Sequence, residues 1–313
     1  MTNNHLASSA SGPARLLKRL GRSDVDLFDL KQGTPLPWRP TSRDDVPAAA
    51  WAQLEKSCDS LELERLLLIP GTGKRTWIGG RLAMRTRVLA FGTTGVGEWT
   101  ENDGVGAVEF MPVDDLLAID DRVILLRGRL ALIGRTRRLE THYNTVARAL
   151  FLENVLRLRQ MIAGPRLATE RNFVWLGMDV EPRPASELPY KWANLLLERT
   201  DLRIDSPEAE MVAVGDVVEL GARRKGPATG LALLGPRELV IAAEPPNRAD
   251  DPRHGVDLTV VPRRHIRDVG WSRGSLTIRL VADGASGPSI SRPLDERLFE
   301  AMRQSFGDAV AWA

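Results

Sequence analysis

A chain of 313 residues with one cysteine, Cys58, cannot be held by an intrachain disulfide framework or a multi-cysteine zinc site. The count fits a reducing cytoplasm, where we expect the protein to work. Histidine is nearly as scarce. His5, His142, His254 and His265 lie far apart with no H-x-x-x-H pair, so we expect neither a structural metal nor a cofactor. The longest apolar runs, such as residues 66–69 and 123–126, fall far short of the ~20 residues that cross a bilayer. The N-terminal stretch MTNNHLASSASGPARLLKRLGR has no apolar core and does not read as a secretory signal. A large charge excess is missing too. The net charge is +2 with a pI near 8.9, so any attraction to an anionic partner must come from a local patch.

What is present is a soluble balance, 43% hydrophobic and 27% charged, in a chain long enough for two domains. Residues 1–43 combine Ser, Asn, Gly and Pro with charge and read as a disordered tail, in which 14–20 (ARLLKRL) has short basic amphipathic character. Residues 44–57 read as the first helix, acidic at its start. From 61 to 142 the pattern is of short strands separated by glycine or paired acids, among them RVLAFG, VGEWTE, AVEFMP, DLLAID, RVILLRG and RLALIG. A helix then follows Asn144 as N-cap, with Val146, Ala147, Leu150, Phe151, Val155, Leu158 and Ile162 on one face and Gly164-Pro165 as its stop. Residues 164–212 form a connection with a helix expected over 190–199, and strands return from 213 to the end.

PGTGKRTW, residues 70–77, resembles a phosphate-binding loop only superficially. Leu68 stands where such a loop needs its first glycine, and Arg75 stands where a Ser or Thr would hold magnesium. The residues after it are strand-like and offer no helix N-terminus for phosphate. The stretch reads as a turn.

The same region begins an internal repeat. GGRLAMRTRVLAF lies over TGLALLGPRELVI, VEFMPVDDLLAI over LTVVPRRHIRDV with Pro112 opposite Pro262, and RGRLALI over RGSLTIR. The terminal segment ARALFLENVLRLR lies over DERLFEAMRQSFG. Four ordered blocks at a near-constant offset read as a duplication.

TRVLAFGTTG, VEFMPVDDLLAI, RGRLALIG and YNTVARALFLENVLRLR, with GPRELVIAA, LTVVPRRHIRDV, RGSLTI and PLDERLFEAMRQSF in the second copy, resemble a bacterial pleckstrin-homology-like (PH-like) domain. The resemblance implies a β-rich α+β chain of two PH-like β-barrel or sandwich units, each capped by a C-terminal helix. The domains would be 44–163 (with its leading helix) and 213–313. It implies binding of a ligand, lipid or protein and brings no catalytic residues; fold alone does not fix function.

The residues that suit an anionic partner are basic. Arg122, Arg127, Arg129, Arg135, Arg137 and Arg138 follow one another with no acid among them, and their forks match phosphate or carboxylate oxygens. The alternative is a solvated strand face paired with Asp120, Asp121 and Glu140. A second set, Lys74, Arg75, Arg81, Arg85 and Arg87, loosely resembles the basic pattern with which some PH domains hold inositol phosphates. The second copy lacks it, with Leu234, Gly235 and Pro236 in the matching place. Asp114-Asp115 and Asp120-Asp121 read as turn markers. His142 near Glu140 reads as structural. Tryptophans, with Trp77 and Trp99 nearest to basic residues, are not interleaved with them as a nucleic-acid surface requires, so nucleic acid is not an expected partner. No nucleophile, base and orienter set emerges. We expect a bacterial, cytoplasmic, non-catalytic adaptor for a protein partner. The alternative is a peripheral protein at the inner membrane surface, holding anionic headgroups through the basic residues of its first domain.

Overall fold

A computed structural model describes residues 36–59, 61–71, 73–75, 81–83, 85–101, 106–124, 127–163, 174–176, 182–184, 211–214, 230–234, 237–243, 255–281, 287–293 and 296–313. The expected tail segment 14–20 and the helix at 190–199 lie outside these residues. The protein is β-rich with few helices, as the strand pattern predicts. It divides into two compact units that interleave along the sequence. The first takes 1–114, 126–129 and 139–155, and the second takes 115–125, 130–138 and 156–313.

In the first unit a sheet of four strands runs in the order β1 (Leu66–Ile69), β4 (Arg87–Phe91), β5 (Gly95–Thr100), β6 (Ala107–Pro112), all antiparallel. The short hairpin β2 (Gly73–Arg75) and β3 (Arg81–Ala83) lies between β1 and β4 in the chain. Within PGTGKRTW, expected as a turn, Gly73–Arg75 instead form a strand of this hairpin. Helix α1 (Ala48–Ser57) begins just after a single helical turn, Arg43–Asp45. Its apolar side comes from strict spacing: Val46, Ala50, Leu54 and Cys58 recur every fourth residue and pack with Leu66, Leu68, Val88, Ala90 and Trp99 into one core. Gly97 lets the helix sit this close, because a Cβ there would lie 2.8 Å from Leu54 Cδ2.

Pro112 ends β6, a helical turn (Val113–Asp115) comes next, and β7 (Leu116–Ile124) follows. After it come β8 (Arg127–Gly134), β9 (Arg138–Asn144) and helix α2 (Arg148–Ala163). Asn144 caps as its position predicts: its Oδ1 accepts from Val146 N at 2.9 Å, opening the turn Thr145–Ala147 that leads into α2. Phe151, Val155, Leu158 and Ile162 are buried along that helix.

The second unit carries antiparallel β12 (Met211–Val214), β13 (Gly230–Leu234), β14 (Glu238–Ala243) and β15 (Gly255–Pro262), neighbours in chain order, and β15 pairs next with β7. Short strands β10 (Val174–Leu176) and β11 (Pro182–Pro184) extend the far side, where β10 meets β12 in a parallel step. Pro262 ends β15 just as Pro112 ends β6. The helical turn Arg263–His265 leads into the antiparallel meander β16 (Ile266–Ser272), β17 (Ser275–Leu280), β18 (Ser289–Pro293) and then helix α3 (Glu296–Phe306). Leu117, Ala118 and Ile133 share one core with Leu234, Leu239, Ile241, Val261, Leu276, Ile278 and α3's Phe299, Met302 and Phe306. Trp312 closes it edge-on to Phe299 and donates its indole N–H to Gly307 O at 2.7 Å.

Asp120-Asp121 departs from the turn expected there. Both lie inside β7, opposite Thr259 and Leu258, and both are buried. A carboxylate survives mid-strand only when paired. The Arg292 guanidinium grips Asp120, and Thr259 Oγ1 adds a bond at 3.3 Å. DLLAID and the start of RVILLRG, expected as two strands, are consequently one through Ile124, and Arg127 and Gly128 belong to β8.

Candidate functional site

Of the eleven basic residues singled out, Arg87 and Arg129 come together. Arg87 projects from β4 and donates Nη1 to Glu98 Oε1 at 3.2 Å and to the Glu140 carbonyl at 3.4 Å. Arg129 Nη1 lies 3.9 Å from Glu140 Oε2, and His142 Nε2 lies 3.3 Å from Glu140 Oε1. Strand alternation explains the set, since Glu140 and His142 are two apart on β9 and share a face. Burial pushes the Glu98 carboxyl above its usual range; the Arg87 charge draws it back, and Glu109, its cross-strand partner, adds repulsion. Desolvation lowers the His142 pKa against the pull of Glu140. Both arginines are thus half-buried and bound to carboxylates, the arrangement of a structural ion-pair network rather than of an open anion cradle.

Lys74 and Arg75 fall in β2 and Arg127 opens β8. Arg85 is exposed just before β4. Arg135 and Arg137 go elsewhere, to the β8–β9 turn inside the second unit, and Arg138 opens β9 beside them; Gly134 N bonds Arg137 O and Arg135 N bonds Asp115 O. Arg137 and Arg138 are exposed and Arg135 is half-buried. The expected first-domain run is therefore divided between two places. Arg122, from the same run, forms a two-bond fork with the buried Asp257 at 2.5 Å in each arm. Arg159 and Glu238, 2% and 3% exposed, pair at 2.7 Å.

The turn Arg263–His265 is not among the basic residues singled out in the sequence. His265 Nδ1 lies 3.3 Å from the Leu117 carbonyl, and Arg264 Nε donates to His265 Nε2 at 3.1 Å. These roles require the neutral ring with its proton on Nδ1. Desolvation lowers the His265 pKa; the bond to Leu117 O opposes this, while the charges of Arg264 and Arg135 reinforce it. The charges of Arg135 and Arg264, 129 positions apart in sequence, therefore both act on one imidazole.

Among the described residues no group of three or more His, Cys, Asp or Glu is placed to hold a metal ion, and no helix is long and apolar enough to cross a membrane. No family model matches the sequence, and no curated protein matches it.

Proposed function

We propose that the protein is a non-catalytic adaptor that offers two PH-like units, related by duplication, to a partner protein. The observation that carries this reading is a recurring order of elements. β1, β4, β5 and β6 form four antiparallel neighbours, followed by a proline, a single helical turn, the strands β7–β9 and helix α2. β12 to β15 form four more, followed by a proline, a single helical turn, the meander β16–β18 and helix α3. Four strands, three strands and a helix is the order that PH-like domains follow. This order also pairs β4 with β13 rather than with β14, so RVLAF matches GLALL and not ELVIA.

The membrane alternative has weaker support, since Arg87 and Arg129 hold Glu98 and Glu140 and a headgroup would have to displace both. The test is affinity capture of the full chain from its native cell, with reciprocal capture of what co-purifies. A stoichiometric protein partner is expected. Turnover in a broad hydrolase and phosphatase screen, abolished by changing one polar residue, overturns the reading.

A further inference from the structure

Four neighbouring strands of the second unit end together on one side. β14 begins at Glu238, β15 finishes at Pro262, β7 begins at Leu116 and β8 finishes at Gly134, and antiparallel pairing brings these termini to the same sheet edge. Each terminus carries arginine. Arg237 precedes β14, and its carbonyl accepts from Arg263 N at 2.7 Å. Arg263 and Arg264 follow β15, and Arg135, Arg137 and Arg138 follow β8. Arg137, Arg138, Arg237 and Arg264 are exposed. Among the described residues the acids near this end are Asp114, exposed in the turn before β7, Asp115, whose carbonyl is bonded to Arg135 N, and Glu238, buried and held by Arg159, so exposed arginines outnumber exposed acids here.

An apolar side chain stands beside them. Val281, 42% exposed, follows β17 and donates its backbone N–H to His265 O at 2.9 Å. An exposed valine alone means little. Here it adjoins the turn bearing Arg263 and Arg264, and His265 holds the exposed Arg264 guanidinium by its Nε.

We propose that this arginine rim, with Val281, is the docking surface for an acidic segment of a partner protein that carries an apolar side chain among its carboxylates. Arginine forks pair with carboxylates in fixed geometry, which suits a protein segment. One small valine provides a contact for a single side chain but little of the apolar area with which a protein anchors in a membrane interface. The proposal deepens the adaptor reading and rests on it for the choice of a protein as occupant. It draws the rim from both halves of the sequence, β7–β8 and β14–β16, so neither sequence half alone presents it.

The test is fluorescence anisotropy of a short labelled peptide of Glu and Gly with one central Leu, titrated with the full chain over a salt series. The same peptide with Gln for Glu is the control. The variant Arg137→Ser/Arg237→Ser/Arg264→Ser removes three exposed rim charges, and Arg273→Ser/Arg279→Ser/Arg303→Ser removes three exposed charges elsewhere. Binding of the acidic peptide is expected to weaken about tenfold or more in the rim variant, a few-fold per exposed pair, with a flatter salt dependence. The second variant should shift it by less than about twofold. Val281→Ser should weaken binding a few-fold and leave the salt slope unchanged. Melting curves matching the wild type keep the comparison to binding.

Equal losses in both triple variants, or no binding of the acidic peptide, overturn the rim. Binding to phosphatidylserine vesicles that the rim variant loses, with no peptide binding, also overturns it and makes a membrane the occupant. A captured partner held equally by wild type and rim variant leaves the adaptor standing and removes the rim. Peptide binding that depends on the rim, with no partner captured, supports the rim and sinks the adaptor.

Discussion

Tyr143 lies flat on Phe151, ring centroids 3.9 Å apart and planes within 12°, and its ring occupies the space over Gly128. A Cβ built on Gly128 would come 2.2 Å from Tyr143 Cζ. The strand glycine is there because an aromatic ring must rest on its backbone.

Gly128→Ala should therefore destabilise the protein by about 1–3 kcal/mol, through displacement of a fully buried ring. Urea unfolding measures it. A loss below about 0.5 kcal/mol would mean that Tyr143 moves aside at little cost.

Arg273 has φ 52° beside Gly274 at 77°, in the two-residue turn joining β16 to β17. Both central residues of such a hairpin turn take positive φ, and arginine bears a steric cost that asparagine bears less. Arg273→Asn should raise stability by about 0.5–1 kcal/mol. A fall in stability would indicate that the arginine's side chain compensates for its backbone.

His265 gives a pH dependence with a definite sign. Its folded pKa is lowered from the ordinary 6.5, first by desolvation, so the unfolded chain takes up the proton more readily. Its contribution is intact above 6.5 and is lost as pH falls through the folded value. His142 shifts the same way. The melting temperature should fall between about pH 7 and 5.5, and His265→Asn should flatten that slope, with His142→Asn removing a further part. An unchanged slope in the double variant would place the titration elsewhere.

Local signals in the chain were legible. Asn144 announces a helix start because a short side chain can reach a nearby N–H, and Pro112 marks a strand end because proline has no N–H to give. Pairings between distant strands were not. That Ile119 lies opposite Val260 depends on the packing of Leu117 and Ala118 into a core with Val261 and Ile278, which no periodicity reveals. This pairing is why Arg135 ends beside Arg264 and not beside Arg87, and why Asp120-Asp121, so like a turn in sequence, is a buried strand segment.

Cys58 caps α1 under Gly97, and burial, with the nearby Asp59 charge, pushes its thiol up to about 11. The thiolate is the reactive form. At pH 8 the folded protein should react with Ellman's reagent far more slowly than in guanidinium, and the reaction should track unfolding. Fast stoichiometric labelling of the folded chain would contradict the buried position.

The pair Asp120–Arg292 tests whether buried charge contributes stability or only demands a partner. Asp120 is 1% exposed, and the Arg292 side chain, bonded also to Thr259 Oγ1 at 3.1 Å, is nearly as enclosed. Removing one member strands the other in a medium that solvates it poorly. Arg292→Met should therefore cost about 3–5 kcal/mol, among the larger losses any single change produces. The double variant Asp120→Leu/Arg292→Met replaces both charges with apolar groups of similar reach and should recover most of that loss, because the desolvation cost disappears with the charges. Denaturant unfolding of the wild type, the two single variants and the double variant forms the cycle. If the double variant recovers nothing and loses as much stability as Arg292→Met alone, the pair is a net source of stability relative to apolar side chains, and the acid in β7 is held there by attraction rather than tolerated by compensation.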